Sequence, residues 1–129
     1  MVGIVIVSHS EKIAEGVKSL ALQMAEEVPM AAAGGTSDGR IGTDMEKISN
    51  AINEVYSEDG VLILFDLGSA FMNAEMAVDF LPDDIKEKVE IVDAALVEGA
   101  VTAAVESSIN KSREDIKKSL KSISINKMP

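Results

Sequence analysis

The chain has 129 residues, 47% of them apolar, with no Trp, one Tyr and three Phe, so its core is aliphatic and few rings are available to stack on bases. A formal charge of −10 repels phosphate backbones and anionic membrane surfaces, which argues against nucleic acid and such membranes as partners. With no cysteine there is no disulfide framework, thiolate nucleophile or Cys-based metal site, and a reducing cytoplasm suits the composition.

The first apolar run, Val2–Val7, lacks a basic flank and stops after six residues at Ser8-His9-Ser10-Glu11, so it reads as a core strand rather than a secretory leader. Nothing approaches the ~18 consecutive apolar residues of a membrane span. Ile13, Val17, Leu20 and Met24 then recur at helical spacing, followed by a second apolar run at Val28–Ala33. Met45, Ile48, Ile52 and Val55 predict a second helix, Val61–Phe65 a strand, Phe71, Ala74, Val78 and Leu81 a third helix, and Val89–Val92 a strand. A small-residue helix is expected from Leu96 to about Ile109, and Ser112 with Asp115 signals the cap of a last helix ending near Lys121. The closing Ile123-Ser124-Ile125 alternates and reads as a short antiparallel edge strand.

Strands buried on both faces and joined by helical crossovers pair in parallel. The expectation is one α/β domain over residues 1–129, a doubly wound, mainly parallel four-stranded sheet with helices on both faces. Met24, Met45, Met72 and Met76 lie at helical spacing and read as core packing. Residues 111–127 carry six Lys or Arg against Glu114 and Asp115, a basic segment on an acidic chain that reads as a solvated face, with a docking patch as the sharper alternative.

Ligands of such sheets gather at the carboxyl ends of the strands, and the only histidine, His9, follows the first strand. Ser10 can cap the next helix there, and an anion on His9 would meet that helix's positive end. Position alone reads His9 equally as a polar loop residue or as a nucleophile. Asp66-Leu67-Gly68-Ser69 follows the third strand in a parallel arrangement. If the two strands are neighbours, Asp66 can fix the His9 tautomer and leave the other ring nitrogen free; equally, it can hold turn amides. Ser69 reads as a helix cap that also suits phosphate. The long loop Gly34-Gly35-Thr36-Ser37-Asp38-Gly39-Arg40-Ile41-Gly42-Thr43 has glycines but puts Arg40 and Ile41 where a nucleotide-binding P-loop needs Lys and Ser or Thr. Thr43 and Glu46 form a capping-box pattern, and Thr43 can also face an anion. One imidazole offers too little for a metal site, and no metal is expected on this chain.

Four stretches carry a family resemblance: Gly3-Ile4-Val5-Ile6-Val7-Ser8-His9-Ser10; Gly34-Gly35-Thr36 with Asp38-Gly39-Arg40-Ile41-Gly42-Thr43; Asp66-Leu67-Gly68-Ser69-Ala70-Phe71-Met72-Asn73; and Asp93-Ala94-Ala95-Leu96-Val97-Glu98-Gly99-Ala100. Together they resemble the DhaM-type phosphotransferase subunit of phosphoenolpyruvate-dependent dihydroxyacetone kinase, similar in fold to mannose-type IIA domains of the sugar phosphotransferase system. Mannose-type transporters tend to have two glycines, Ser and Pro after the third-strand Asp; the single Gly68 and Ala70 here favour the DhaM type. The alternatives are a sugar-transport IIA component and a non-catalytic regulatory module of the same fold.

The resemblance implies a homodimer in which His9 takes a phosphoryl group from phospho-HPr and passes it to ADP on the DhaL subunit. The ATP formed there phosphorylates dihydroxyacetone on DhaK, with nucleotide and magnesium on the acceptor and the donor a separate protein. In that scheme Nε2 of His9 attacks while Asp66 accepts from Nδ1–H. Ser10, Gly42, Thr43, Gly68 and Ser69 surround the phosphoryl oxygens.

Overall fold

The structure, a computed structural model, describes residues 1–128. Strands β1 (Gly3–Ser8), β2 (Met30–Gly34), β3 (Val61–Phe65) and β4 (Val89–Val92) form one sheet in the order β2-β1-β3-β4, every neighbouring pair parallel. The helices are α1 (Glu11–Met24), α2 (Met45–Val55), α3 (Gly68–Asp79), the single-turn α4 (Asp83–Lys86), α5 (Leu96–Ser108) and α6 (Arg113–Leu120).

β1 and β3 sit at the centre and are buried along their whole length. Side chains alternate between faces, so Ile4 and Ile6 join Leu62 and Leu64 beneath α1, α5 and α6, whereas Val5 and Val7 join Ile63 and Phe65 beneath α2 and α3. This is the doubly wound α/β arrangement that the alternation of segments predicts. β2 starts two residues later than its apolar run, after Pro29, which has no N–H and contributes only its carbonyl, accepting from Ile4 N–H at 2.9 Å.

The face expected for α3 packs on the core, with Ala74 and Leu81 buried and Phe71 and Val78 against them, whereas of the face expected for α1 only Val17 is buried. α1 turns Ala14, Val17 and Ala21 inward and leaves Ile13, Leu20 and Met24 exposed; α3 buries Ala70, Ala74 and Ala77 and exposes Met72 and Met76. Of the four methionines expected in the core, only Met45 packs against it, and Met24 and Met72 are 63% and 67% exposed. Small residues face inward because the backbones come close. A Cβ on Gly34 would lie 2.6 Å from the Ser10 carbonyl oxygen and 2.8 Å from both the Ala14 Cβ and the Glu11 Cα, so the end of β2 receives the start of α1 with no room for a side chain. Gly34→Ala is expected to cost about 2 kcal/mol by overpacking. Thermal unfolding checks this as a Tm lowered by roughly 8 °C.

The expected C-terminal edge strand is absent among the described residues. Residues Lys121–Ile123 form a 3-10 turn, and Ala95 N–H donates to the Ile123 carbonyl at 2.9 Å, which ties the segment beside α5 instead of to a strand. Ser112 does cap α6, accepting from Asp115 N–H. Part of the basic segment faces inward: the Arg113 Nε and Lys117 Nζ both donate to Glu90 on β4, at 2.8 and 2.6 Å. No described helix is long and apolar enough to cross a membrane.

Candidate functional site

The strand order reverses direction between β1 and β3, and their carboxyl ends open side by side. Val7 registers with Phe65, so the residues that follow each strand meet across the switch point. Asp66 N–H donates to the Val7 carbonyl at 3.1 Å, which carries the ladder one step further and turns the carboxylate toward the end of β1.

That carboxylate accepts four hydrogen bonds. Oδ2 takes the Ser8 hydroxyl at 2.8 Å and the His9 backbone N–H at 2.9 Å; Oδ1 takes Leu67 N–H at 2.7 Å and lies 3.0 Å from His9 Nδ1. Burial pushes the Asp66 carboxyl pKa up, but the bonds from His9 N–H, the His9 ring, the Ser8 hydroxyl and Leu67 N–H outweigh it and hold it below the ordinary range. An ionised carboxylate only accepts, so the proton of the neutral ring sits on Nδ1. Nε2 then carries the lone pair, and the Ser69 hydroxyl donates to it at 2.8 Å. The imidazole is partly buried, with its side chain 21% exposed.

Local sequence explains the aim of each group. Ser10 is the N-cap of α1, its hydroxyl accepting from Ile13 N–H and its own N–H donating to Ser8 Oγ, so Ser8, His9 and Ser10 are fixed as a unit. α3 differs. Its N-cap is Leu67, no side chain caps it, and its first turn opens with Gly68 and Ser69 beside His9 Nε2. The uncapped positive end of a helix therefore lies at the nitrogen that carries the lone pair.

A family model described as the PTS system fructose IIA component, EIIA-man, matches residues 3–117. The chain belongs to this family. Its curated relatives include the phosphoryl donor subunit DhaM of PEP-dependent dihydroxyacetone kinase 2 from Listeria innocua, 42% identical over 124 residues covering 95% of this chain and 99% of the relative. The phosphotransferase subunit DhaM of the PTS-dependent dihydroxyacetone kinase of Lactococcus lactis is 39% identical over 125 residues, covering 97% and 98%. A crystal structure of a protein of unknown function superposes over 100% of both chains with TM-score 0.85 and 34% identity. The DhaM resemblance carried by the four motifs is thus matched along nearly the whole chain.

Within this IIA-family site, the residues singled out in the sequence divide into two groups. His9, Asp66 and Ser69 form one hydrogen-bonded line, and Gly68 adjoins it. Gly42 lies beside the line, but its N–H already donates to the His9 carbonyl at 2.8 Å, so it braces the histidine loop. Thr43 is not the cap of α2. Asp44 is, accepting from Glu46 and Lys47 N–H, while the Thr43 hydroxyl accepts from Asn73 Nδ2 at 2.6 Å and joins this loop to α3. Asp, ionised beside the helix's positive end, outcompetes Thr for the cap position. Nor does Ser69 cap α3; it sits inside the first turn, which frees its hydroxyl for the ring. Arg40 of the glycine-rich loop pairs with Asp38, Nε to Oδ2 at 2.8 Å, and closes the loop on itself.

Sequence reasoning passed over Ser8, whose fully buried hydroxyl both donates to Asp66 and accepts from Ser10. A lone hydroxyl ending an otherwise apolar buried strand is the signal that would have found it. No cluster of three or more His, Asp or Glu suited to a metal occurs among the described residues.

Proposed function

We propose that this chain is the phosphoryl donor subunit of a phosphotransferase-dependent dihydroxyacetone kinase, with His9 as its phosphoryl carrier. The observation that carries the reading is the line Asp66–His9–Ser69, in which a carboxylate fixes the proton on Nδ1 and leaves the Nε2 lone pair at an uncapped helix start. The relatives' names supply the kinase context.

In the forward step Nε2 attacks the phosphorus of phospho-HPr, the bond from phosphorus to the donor breaks, and the positive charge on the imidazolium rests against Asp66. Ser69 gives up its bond to Nε2 and turns its hydroxyl to a phosphoryl oxygen. The first N–H groups of α3, at Gly68 and Ser69, and the adjoining Ser10 and Thr43 stabilise the remaining charge. In the second step a β-phosphate oxygen of ADP on DhaL attacks phosphorus, the N–P bond breaks, and the electron pair returns to Nε2. ATP and magnesium stay with DhaL, and dihydroxyacetone with DhaK. The carrier acts as a cytoplasmic homodimer.

The test is a reconstituted relay. With phosphoenolpyruvate, enzyme I and HPr, the chain is expected to take one acid-labile phosphate, and adding DhaL with ADP is expected to discharge it as ATP. A label that DhaL and ADP leave in place points to a sugar-transport IIA component. No label with competent donors points to a regulatory module.

A further inference from the structure

The described C-terminal segment returns to the site. After the 3-10 turn it crosses the mouth of the sheet, where Asp93, the residue following β4, accepts from Ile125 N–H at 3.3 Å and Lys127 N–H at 2.8 Å. So anchored, the Lys127 side chain reaches the end of β3. Its ammonium donates to the Phe65 carbonyl at 2.5 Å and the Asp66 carbonyl at 3.2 Å, and it lies 4.8 Å from the centroid of the Phe65 ring. The Lys127 carbonyl abuts Gly68 so closely that a Cβ there would lie 3.0 Å from it. These contacts touch Phe65, Asp66 and Gly68, the turn that aims the Asp66 carboxylate at Nδ1 and brings Ser69 to Nε2.

Surface lysines normally keep the ammonium in water and bury only the stem. Lys127, half-buried, instead turns its ammonium onto two backbone carbonyls. Partial burial lowers its pKa against the opposing pull of Asp93 and Asp66, and each bond from the ammonium to a carbonyl is charge-assisted. Among the described residues no other Lys or Arg donates a hydrogen bond to the segment 65–69, on a chain whose net charge is −10.

We propose that Lys127 is a positioning residue for phosphoryl transfer, clamping the two carbonyls at the end of β3 so that the Asp66–Ser69 turn keeps His9 in its reactive orientation. This rests on the carrier reading of His9. The ammonium also offsets the strand-end carbonyl dipoles, whose negative ends oppose an incoming phosphoryl group.

Lys127→Met keeps an apolar stem against Phe65 and removes the donors; Lys127→Arg keeps charge and donors. In the full chain, two measurements are made on each: single-turnover phosphorylation of His9 across phospho-HPr concentrations, and amide hydrogen exchange at His9 and Leu67, which donate to Asp66, against Ile4 and Ile63 in the sheet. For Lys127→Met the maximal rate is expected to fall about tenfold, from misplacement of a reacting group, with the half-saturating donor concentration unchanged. Exchange at His9 and Leu67 should accelerate about tenfold, because their opening is local, while the sheet amides hold. Lys127→Arg should recover most of the rate. Rates and exchange within twofold of wild type overturn the proposal, as does uniform acceleration at Ile4 and Ile63, which makes Lys127 a general stabiliser. A change in half-saturation alone overturns it in favour of a docking contact. If the wild type takes no label, it is the carrier reading that falls, and the exchange data still decide whether Lys127 holds the turn.

Discussion

His9→Ala is expected to abolish phosphate incorporation from phospho-HPr altogether while leaving the fold intact. The proposed carrier step forms a bond to Nε2, and no neighbouring group substitutes for it: Ser69 is a hydroxyl whose only base partner is that same nitrogen, and Asp66 is saturated with four donors. The chain has no other histidine and no cysteine. Loss of the ring removes its bonds to Asp66 and Ser69 but keeps the His9 backbone N–H on Oδ2, so the turn survives and stability should change by no more than about 1 kcal/mol. Mass spectrometry of the chain after incubation with phosphoenolpyruvate, enzyme I and HPr reads the outcome. Full labelling of the variant would place the acceptor elsewhere.

Asp66→Asn is expected to slow phosphoryl transfer by roughly 10³-fold, because an amide in place of the carboxylate reverses the tautomer logic. An Asn NH₂ facing Nδ1 donates to it, which moves the ring proton to Nε2 and occupies the lone pair that attacks. An amide oxygen facing Nδ1 instead turns the NH₂ toward Ser8 Oγ and the His9 N–H, and the latter loses its acceptor. Either rotamer strands donors, for about 2–3 kcal/mol of stability. The pH dependence separates this from ordinary destabilisation. The Asp66 carboxyl is held below its ordinary range in the folded chain, so its stabilising contribution is complete above the unfolded value of about 4 and is lost as pH falls through the lower folded value. Tm measured from pH 7 downward should therefore show wild type well above the variant at neutrality, with the gap closing in acid. Unchanged transfer rates in Asp66→Asn would end the orienting role.

How far the site could be read in advance follows from which signals are local. His9 and Asp66 were legible because each ends an apolar run, and a run apolar at every position in an α/β pattern is a central strand whose carboxyl end faces the ligand side. The cap at Ser10 was legible for the same reason. Ser69 was harder: its spacing suits a cap, and only the placement of α3, which starts at Gly68 with Leu67 as its cap, turns the Ser69 hydroxyl to the imidazole. Thr43 and Asp44 both suit the cap of α2, and the choice went to the charged side chain, leaving Thr43 to Asn73.

Lys127 and Asp93 were out of reach. Their separations from the groups they touch, 62 residues from Lys127 to Phe65 and 34 from Lys127 to Asp93, leave no periodic trace in the sequence.

The sequence by itself determined the strand-helix alternation, the burial of β1 and β3, and the acid and the imidazole at their ends, since hydrophobic period and strand-end position are properties of short windows. Tertiary structure decided that β1 and β3 are neighbours, which is what makes a pair of His9 and Asp66. It also decided which face of α1 points inward, because the close backbone approach at Gly34 leaves room for Ala14 and for no larger side chain there.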